Sequence, residues 1–515
     1  MVKDYVIGVD CSTTAAKAIV WDRKGNPVAE GRQKMQLLTP RPEWAEQRAG
    51  EWWEATVEAI RDAVQQIDSR RITAIGMTHQ RESFVPLSRE MAPLRNGILW
   101  MDTRAAPQVQ KLKKMGGEKI HKITGLFPNL YASNAKIMWI KENEPSIFER
   151  IYKFLDVYAY LAWKLTGRLV TTWSSACPMG LLNMSKLCWS REVMELVGVK
   201  EEQFCELVAP GEIVGQLTKK TASLLGLSEG IPVAGGGGDG QCAALGAGVV
   251  EEGCASLNLG TAVVSELYLS GYITGDTFRT MCGCVPETYI AESLIPGGTF
   301  TINWFVKEFG YEESRLSKVD NIVAEQIFEI MASKIQPGMP RLLMFPYWKA
   351  AAAPYWDPFA RGMVVGWSGD TTRAHLYRSI MEGIVFEQRF LYDGMEESLG
   401  KKIEKIVLLG GGAKSPLWRQ IVADITAIPV LIPHTFEVTC LGAAMLAAYA
   451  AGIYNDVPEA SKEMSRIKEE YYPIEKNREF YSKIYEKVYK SLFPRIQELI
   501  DEFTKITLSE NQSKV

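Results

Sequence analysis

Residues 5–31 read YVIGVDCSTTAAKAIVWDRKGNPVAEG. An apolar, β-branched run ends on Asp10, a small hydroxyl-bearing turn follows, a second run spans 16–22, and a Lys-Gly-Asn-Pro turn closes the segment. Such runs bounded by turn residues predict two strands joined as a hairpin, with Ser12, Thr13 and Thr14 at its tip. The layout returns at 254–271, CASLNLGTAVVSELYLSG, where one strand runs into Gly260-Thr261 and another leaves through VVSELYL. Between the two, EWWEATVEAIRDAVQQI (51–67) sets Trp52, Val57, Ile60, Val64 and Ile67 at helical spacing, and ITAIGMTHQ (72–80) turns strand-like. Alternating helices and strands predict an α/β protein of two domains, each opening with a hydroxyl-tipped hairpin. Their boundary is expected near 250, giving units at 1–250 and 251–515.

The chain has 515 residues, too many for one core, and carries 58 Lys plus Arg against 61 Asp plus Glu, a net charge of −3. The two signs are interspersed, so no basic face marks a nucleic-acid or membrane partner, and small-molecule chemistry becomes the default. Nine cysteines are scattered without a CxxC pair or a histidine at zinc spacing, which predicts reduced, buried thiols in a cytoplasmic protein. The run LGAAMLAAYAAGIY (441–454) is shorter than the ~18 residues of a membrane span and predicts a buried helix. From about 453 onward, Glu-, Lys- and Tyr-rich sequence predicts amphipathic helices outside the main layers, and the last dozen residues are expected to be disordered.

In GGGGDGQCAALGAG (235–248), four glycines precede one carboxylate. Glycine loses more backbone entropy on ordering than any other residue, so the run needs a cause. Either its N–H groups cradle phosphate, or it clears space for Asp239 to reach a substrate. A carboxylate placed this way suits a base that takes the proton of an acceptor hydroxyl during phosphoryl transfer. Its structural alternative is an N-cap for the helix that follows.

A third small-residue turn, Gly411-Gly412-Ala413, lies between strand and helix in KIEKIVLLGGGAKSPLWRQIVADITAIPVLIP (402–433). A strand, glycine and helix in that order favour anions at the helix N-terminus. Taken singly, each of the three turns is an ordinary tight turn. Together they meet on one polyphosphate only if two domains face each other across a cleft. Neither GxGxxG nor GxxxxGK[ST] occurs at them. THQRESFVPL and GILWMDTRAA put Gln80, Arg81, Glu82, Trp100, Asp102 and Arg104 at strand ends. A charged pair beside an aromatic suits a polyol, which needs paired donors and acceptors and one apolar face. The structural alternative there is a surface ion pair beside a core Trp.

With these motifs in this order, joined by RNGILWMDTRA and APYWDPFARG, the chain resembles the FGGY family of carbohydrate kinases over nearly its whole length. The resemblance implies two actin-like (ribonuclease H-like) ATPase domains with a cleft between them, ATP with Mg²⁺, and phosphorylation of a sugar or polyol hydroxyl. It implies Asp239 as catalytic base, Asp10 near the metal, and Thr13, Thr14, Lys17, Gly260, Thr261, Gly411, Gly412 and Ala413 around the nucleotide. Gln80, Arg81, Glu82, Trp100, Asp102, Tyr131, Asp239 and Gln241 would face the acceptor. Family members are often dimers or tetramers, so a homo-oligomer is a further expectation.

Two departures from glycerol kinases bear on the substrate. Gly240 stands where they follow the Asp with Gln, and Lys17 replaces an Arg and so lacks its bidentate fork. Room beside Gly240 points to a longer acceptor, a pentulose such as xylulose. Glycerol or erythritol is the alternative, and an actin-like ATPase without a sugar substrate is the alternative from another class.

Overall fold

The computed structural model describes residues 4–320, 323–337 and 342–512. The opening segment folds as anticipated: β1 (Tyr5–Cys11) and β2 (Ala15–Trp21) pair antiparallel through the Ser12–Thr14 turn, and β3 (Pro27–Lys34) adds to β2. Helix α1 (Ala49–Val64) covers them, burying Trp52, Val57, Ile60 and Val64. Its period of 3.6 sets these side chains on one stripe. The chain returns as β4 (Ile72–His79), parallel to β1. Helix α2 (Ser133–Asn143) belongs to a smaller layer beside this sheet. Then β5 (Ile213–Gln216), β6 (Pro232–Ala234) and β7 (Gly237–Gly238) complete a seven-stranded sheet ordered β5-β6-β4-β1-β2-β3, with β7 beside β4. Helix α3 (Asp239–Gly246) leads into the second half.

There the plan repeats. Strands β8 (Cys254–Leu259) and β9 (Val263–Leu269) form an antiparallel hairpin, and β10 (Arg279–Cys282) and β11 (Tyr289–Ile295) extend it. Parallel strands β12 (Lys405–Leu409) and β13 (Val430–Pro433) lie on the other side, with β14 (Ile467–Tyr471) at the edge. Helices α4 (Arg373–Leu399) and α5 (Pro416–Thr426) pack on this sheet. In both sheets the first strand pairs antiparallel with the second and parallel with a later strand, β4 in the first sheet and β12 in the second, so the repeat seen in the two hairpins extends to the core of each sheet.

The predicted buried helix at 441–454 is α6 (Val438–Ala450). It comes from the second half but lies on β1 and β4 of the first sheet and against α3. Glycines allow this. A Cβ on Gly8 or Gly76 would overlap the backbone carbonyl of Cys440 or Ala443, and one on Gly442 would overlap that of Cys242. Leu441, Ala444, Leu446 and Ala447 then seal against Val6, Ile19, Ala74 and Leu245.

The C-terminal segment departs from expectation in two places. Residues 467–471 form an edge strand paired with Val430–Pro433 rather than a helix outside the layers. The helix Lys490–Gln512, expected as one of the C-terminal helices, also runs on into the last dozen residues, where disorder was expected; Tyr481, Tyr485, Tyr489 and Phe493 just before and within it bury against α4. The three tyrosine hydroxyls donate to Glu382, Asp393 and Glu387 at 2.6–2.7 Å. Residues 513–515 lie outside the described residues. Among the described residues no helix is long and apolar enough to cross a membrane.

Because the atoms facing Gly76 and Gly442 are backbone and cannot swing away, Gly76→Ala and Gly442→Ala are each expected to lower stability by ~1–3 kcal/mol in urea unfolding. Gly271→Ala, with nothing within 4 Å of the added methyl, should stay within about 0.5 kcal/mol.

Candidate active site

In the first sheet β1, β4 and β7 run parallel, and their register sets Asp10 beside Thr78 and Thr78 beside Gly237. The segments that follow, Ser12–Thr14, Gln80–Glu82 and Asp239, therefore leave at one carboxyl edge, where ligands of open α/β sheets bind. The second sheet repeats this, with Asn258 beside Leu409. The Gly260-Thr261 turn and the 410–413 turn thus emerge side by side. Gly410 has φ +81° and lies so close to Asn258 and Leu259 that a Cβ could not be added, whereas Gly411 faces open space. Of the third turn, Ala413 is fully buried and Gly412 packs on Trp418, which leaves Gly411 as its exposed member.

A closed set of hydrogen bonds builds one wall. Trp100 Nε1 donates to Thr13 Oγ1 (2.9 Å), Thr13 Oγ1 to Gln80 Oε1 (3.1 Å) and Gln80 Nε2 to Gln47 Oε1 (2.9 Å). Ser83 Oγ donates to Gln80 Oε1 at 3.1 Å and accepts from the Trp100 N–H at 3.0 Å. Thr13 is therefore tied to the aromatic wall as well as to the hairpin tip, while Thr14 is exposed. Gln80 is buried with both ends of its amide engaged, so it holds the wall rather than lining it. The rings of Trp100 and Tyr131 lie 6.1 Å apart and tilted. The backbone under both is pinned by Lys136 of α2, whose Nζ donates to the carbonyls of Leu99, Trp100 and Tyr131 at 2.7–2.9 Å. Burial pulls this ammonium down to about 7.

Asp239 is the first residue of α3, and Gly238 is its N-cap, so the carboxylate does not serve as the cap. Its side chain is 40% exposed, and its Oδ1 lies 3.0 Å from Arg81 Nε. Arg81 also donates to Glu292 of β11, and Arg279 of β10 pairs with Glu292 (Nε to Oε1, 2.6 Å) and with Glu82 (Nη1 to Oε1, 2.8 Å). Burial works against the Arg81 charge, but Glu292 and Asp239 outweigh it and hold the guanidinium well above its usual range. Glu82 takes up a left-handed φ of +57°, a costly conformation outside glycine, to reach Arg279.

Besides Gln80, three expectations are corrected here. Asp102 is completely buried; its oxygens accept from Ala45 N (2.7 Å) and from the Arg104 guanidinium (2.7 and 2.8 Å), which leaves none for an acceptor. Gln241 is buried too, its Nε2 donating to the Ser174 carbonyl (3.0 Å), so it supports the site from behind. The space beside Gly240 is occupied: a Cβ there would run into Glu266 Oε1 and stand 3.1 Å from the Arg81 guanidinium. Gly240 thus makes room for a protein carboxylate of β9. Sequence reasoning missed Arg279, Glu292, Glu266 and Lys136. For the two glutamates a signal existed, a lone carboxylate inside each of the apolar strands VVSELYL and YIAESLI.

Asp10 supplies the test for a cation. Its Oδ1 is buried without a partner, and burial and then the Asp239 charge push its carboxyl up to about 8. A divalent ion beside it would remove both penalties, so the residue present fits Mg²⁺. Among the described residues no group of three or more His, Cys, Asp or Glu is placed as a closed metal cage. Mg²⁺ takes one or two carboxylates and completes its shell with phosphate and water. Lys17, opposite Asp10 in the hairpin, is ion-paired at 2.8 Å with Glu437 at the start of α6.

Comparison with known proteins agrees with this geometry. Models of the FGGY family of carbohydrate kinases match the chain twice, the N-terminal domain over residues 5–246 and the C-terminal domain over 255–451. A xylulose kinase of Staphylococcus epidermidis is 30% identical over 514 residues, covering 98% of this chain and 100% of that one. A glycerol kinase of Saccharolobus islandicus is 32% identical over 489 residues, covering 93% and 95%. The crystal structure of a ligand-bound xylulose kinase from Lactobacillus acidophilus superposes with a TM-score of 0.88 at 26% identity, covering 97% and 99%. With both domains matched, the kinase reading displaces the sugar-free ATPase, and the chain belongs to the FGGY family of carbohydrate kinases, ATP-using phosphotransferases with an alcohol group as acceptor.

Proposed function

We propose that this kinase transfers the γ-phosphoryl group of ATP to a hydroxyl of a pentulose such as xylulose. The reading rests on space. Since Glu266 fills the room beside Gly240, support for a longer acceptor comes from a pocket lined by Asn129, Tyr131, Arg279, Glu292 and Trp356. Its lining includes neither Arg81 nor Asp239, and at about 20 Å³ it offers the space of about one further hydroxyl or water beside Tyr131.

In this reading Asp239 takes the proton of the acceptor hydroxyl as the new P–O bond forms. Arg81 steers that carboxylate and offers donors to neighbouring hydroxyls, and Glu82 accepts from them. Trp100 and Tyr131 cover the carbon skeleton and exclude water. The turns at Thr13–Thr14, Gly260–Thr261 and Gly411 carry the phosphates, with Lys17 beside the first. Asp10 is the residue that would hold Mg²⁺, which would supply positive charge against the phosphoryl oxygens.

Replacing Asp239 by Asn should lower kcat by about 10²–10⁴-fold while ADP affinity by calorimetry stays within about twofold; retained turnover removes Asp239 from the base role. In a coupled ADP-release assay over glycerol, erythritol, xylulose, ribulose and gluconate, kcat/KM is expected to be highest for a pentulose. A higher value for glycerol or erythritol rejects the pentulose in favour of a short polyol. Tyr131→Ala, which leaves the Trp100–Thr13 bond in place, should raise the acceptor KM by about tenfold with little change in the KM of ATP, a split measurable in the same assay.

A further inference from the structure

Four side chains stand in one row across the second sheet: Arg279 faces Glu292, Glu292 faces Glu266, and Glu266 faces Ser256. Glu266 and Glu292 are only 2% exposed, and like charges directly opposite one another destabilise a sheet. Packing of the second sheet alone gives no reason for such a pair. The reason comes from the other lobe: Arg81 reaches across to Glu292, and Glu82 reaches across to Arg279. One carboxylate, Glu292, thus joins two guanidiniums from different halves of the chain, and the one from the first half also grips Asp239.

We propose that Glu292 is a positioning residue that, from the second half of the chain, seats Arg81 against Asp239, so that the base is aligned by a contact between the two halves. The inference rests on Asp239 being the base. Glu292 touches neither phosphate nor the transferred proton; besides lining the small cavity beside Tyr131, it acts on the base through Arg81. Its neighbour sets the pH range. Burial and the Glu292 charge hold the Glu266 carboxyl up at about 8, whereas Arg279 and Arg81 outweigh burial and hold Glu292 low. The groups around Glu266 are Glu292 from β11, Ser256 from β8, Asp239 from α3, Arg81 from the segment after β4, and Cys284 from the segment after β10. Below about pH 8 Glu266 is neutral and Arg81 divides between Glu292 and Asp239. Above it a second negative charge arises beside Arg81 and draws it from Asp239.

The test is steady-state kinetics with ATP and xylulose, and with glycerol in parallel, on the full chain and on Glu292→Gln, Glu292→Asp, Glu266→Gln and Asp239→Asn. Glu292→Gln is expected to lower kcat/KM for the acceptor about 100-fold, the scale of a ~1 Å misplacement, with the KM of ATP and the affinity for ADP within about twofold. Glu292→Asp, which keeps the charge, should recover about tenfold of that loss. The wild type should lose activity above pH 8, and Glu266→Gln should remove that decline. If Glu292→Gln fails to bind ADP and is unfolded, Glu292→Asp carries the comparison, with a loss confined to the acceptor expected. Unchanged acceptor kinetics in the folded variants, or an equal loss for ATP and acceptor accompanied only by a lower melting temperature, overturns the proposal. Turnover retained in Asp239→Asn instead overturns the base assignment, whatever Glu292 does.

Discussion

Close contact between helix α6 and the backbone of the first sheet governs how the two halves meet. Gly8, Gly76 and Gly442 let carbonyl oxygens and Cα atoms touch across the seam, so along α6 the second half meets the first backbone to backbone. Such a contact has one register. It fixes where Glu437, at the head of α6, meets Lys17 in the first hairpin, and it fixes α3, whose first residue is Asp239. The carboxylate proposed as the base and the lobe seam are therefore parts of one packing unit.

Against that apolar seam, the cleft side is held by charge. Buried ion pairs recover little of what desolvation costs, and losing one partner leaves the other stranded at ~3–5 kcal/mol. A cluster of Arg81, Glu82, Arg279, Glu292 and Glu266 is thus a poor device for stability alone. It is a good device for direction, since a planar guanidinium flanked by carboxylates has few orientations open to it. The left-handed backbone of Glu82 and the unpartnered oxygen of Asp10 are further costs concentrated within this one cleft.

Much of the fold was legible because its signals are local. The hairpins at 5–21 and 254–269, the α1 stripe and the strand-glycine-helix unit at 405–426 need only period and turn chemistry. Residues that leave strand ends, Arg81 and Asp239 among them, were also within reach, because the carboxyl edge of parallel strands is where such sheets bind ligands. Less legible was which polar residue turns inward. Asp102, Gln80 and Gln241 have the chemistry of an acceptor site, yet partners far along the chain, Ala45, Gln47 and Ser174, have already taken their hydrogen bonds. Cross-strand register was also out of reach, so Arg279, Glu292 and Glu266 could not be aligned from sequence. The edge strand 467–471 was missed for a related reason: its exposed side chains carry no apolar alternation.

The fit between Gly240 and Glu266 ties together two positions from different halves of the chain. A Cβ at 240 would overlap Glu266 Oε1 and press on the Arg81 guanidinium, so a larger residue there requires the Glu266 carboxylate to swing aside, and the cost of any change at 240 depends on which side chain stands at 266.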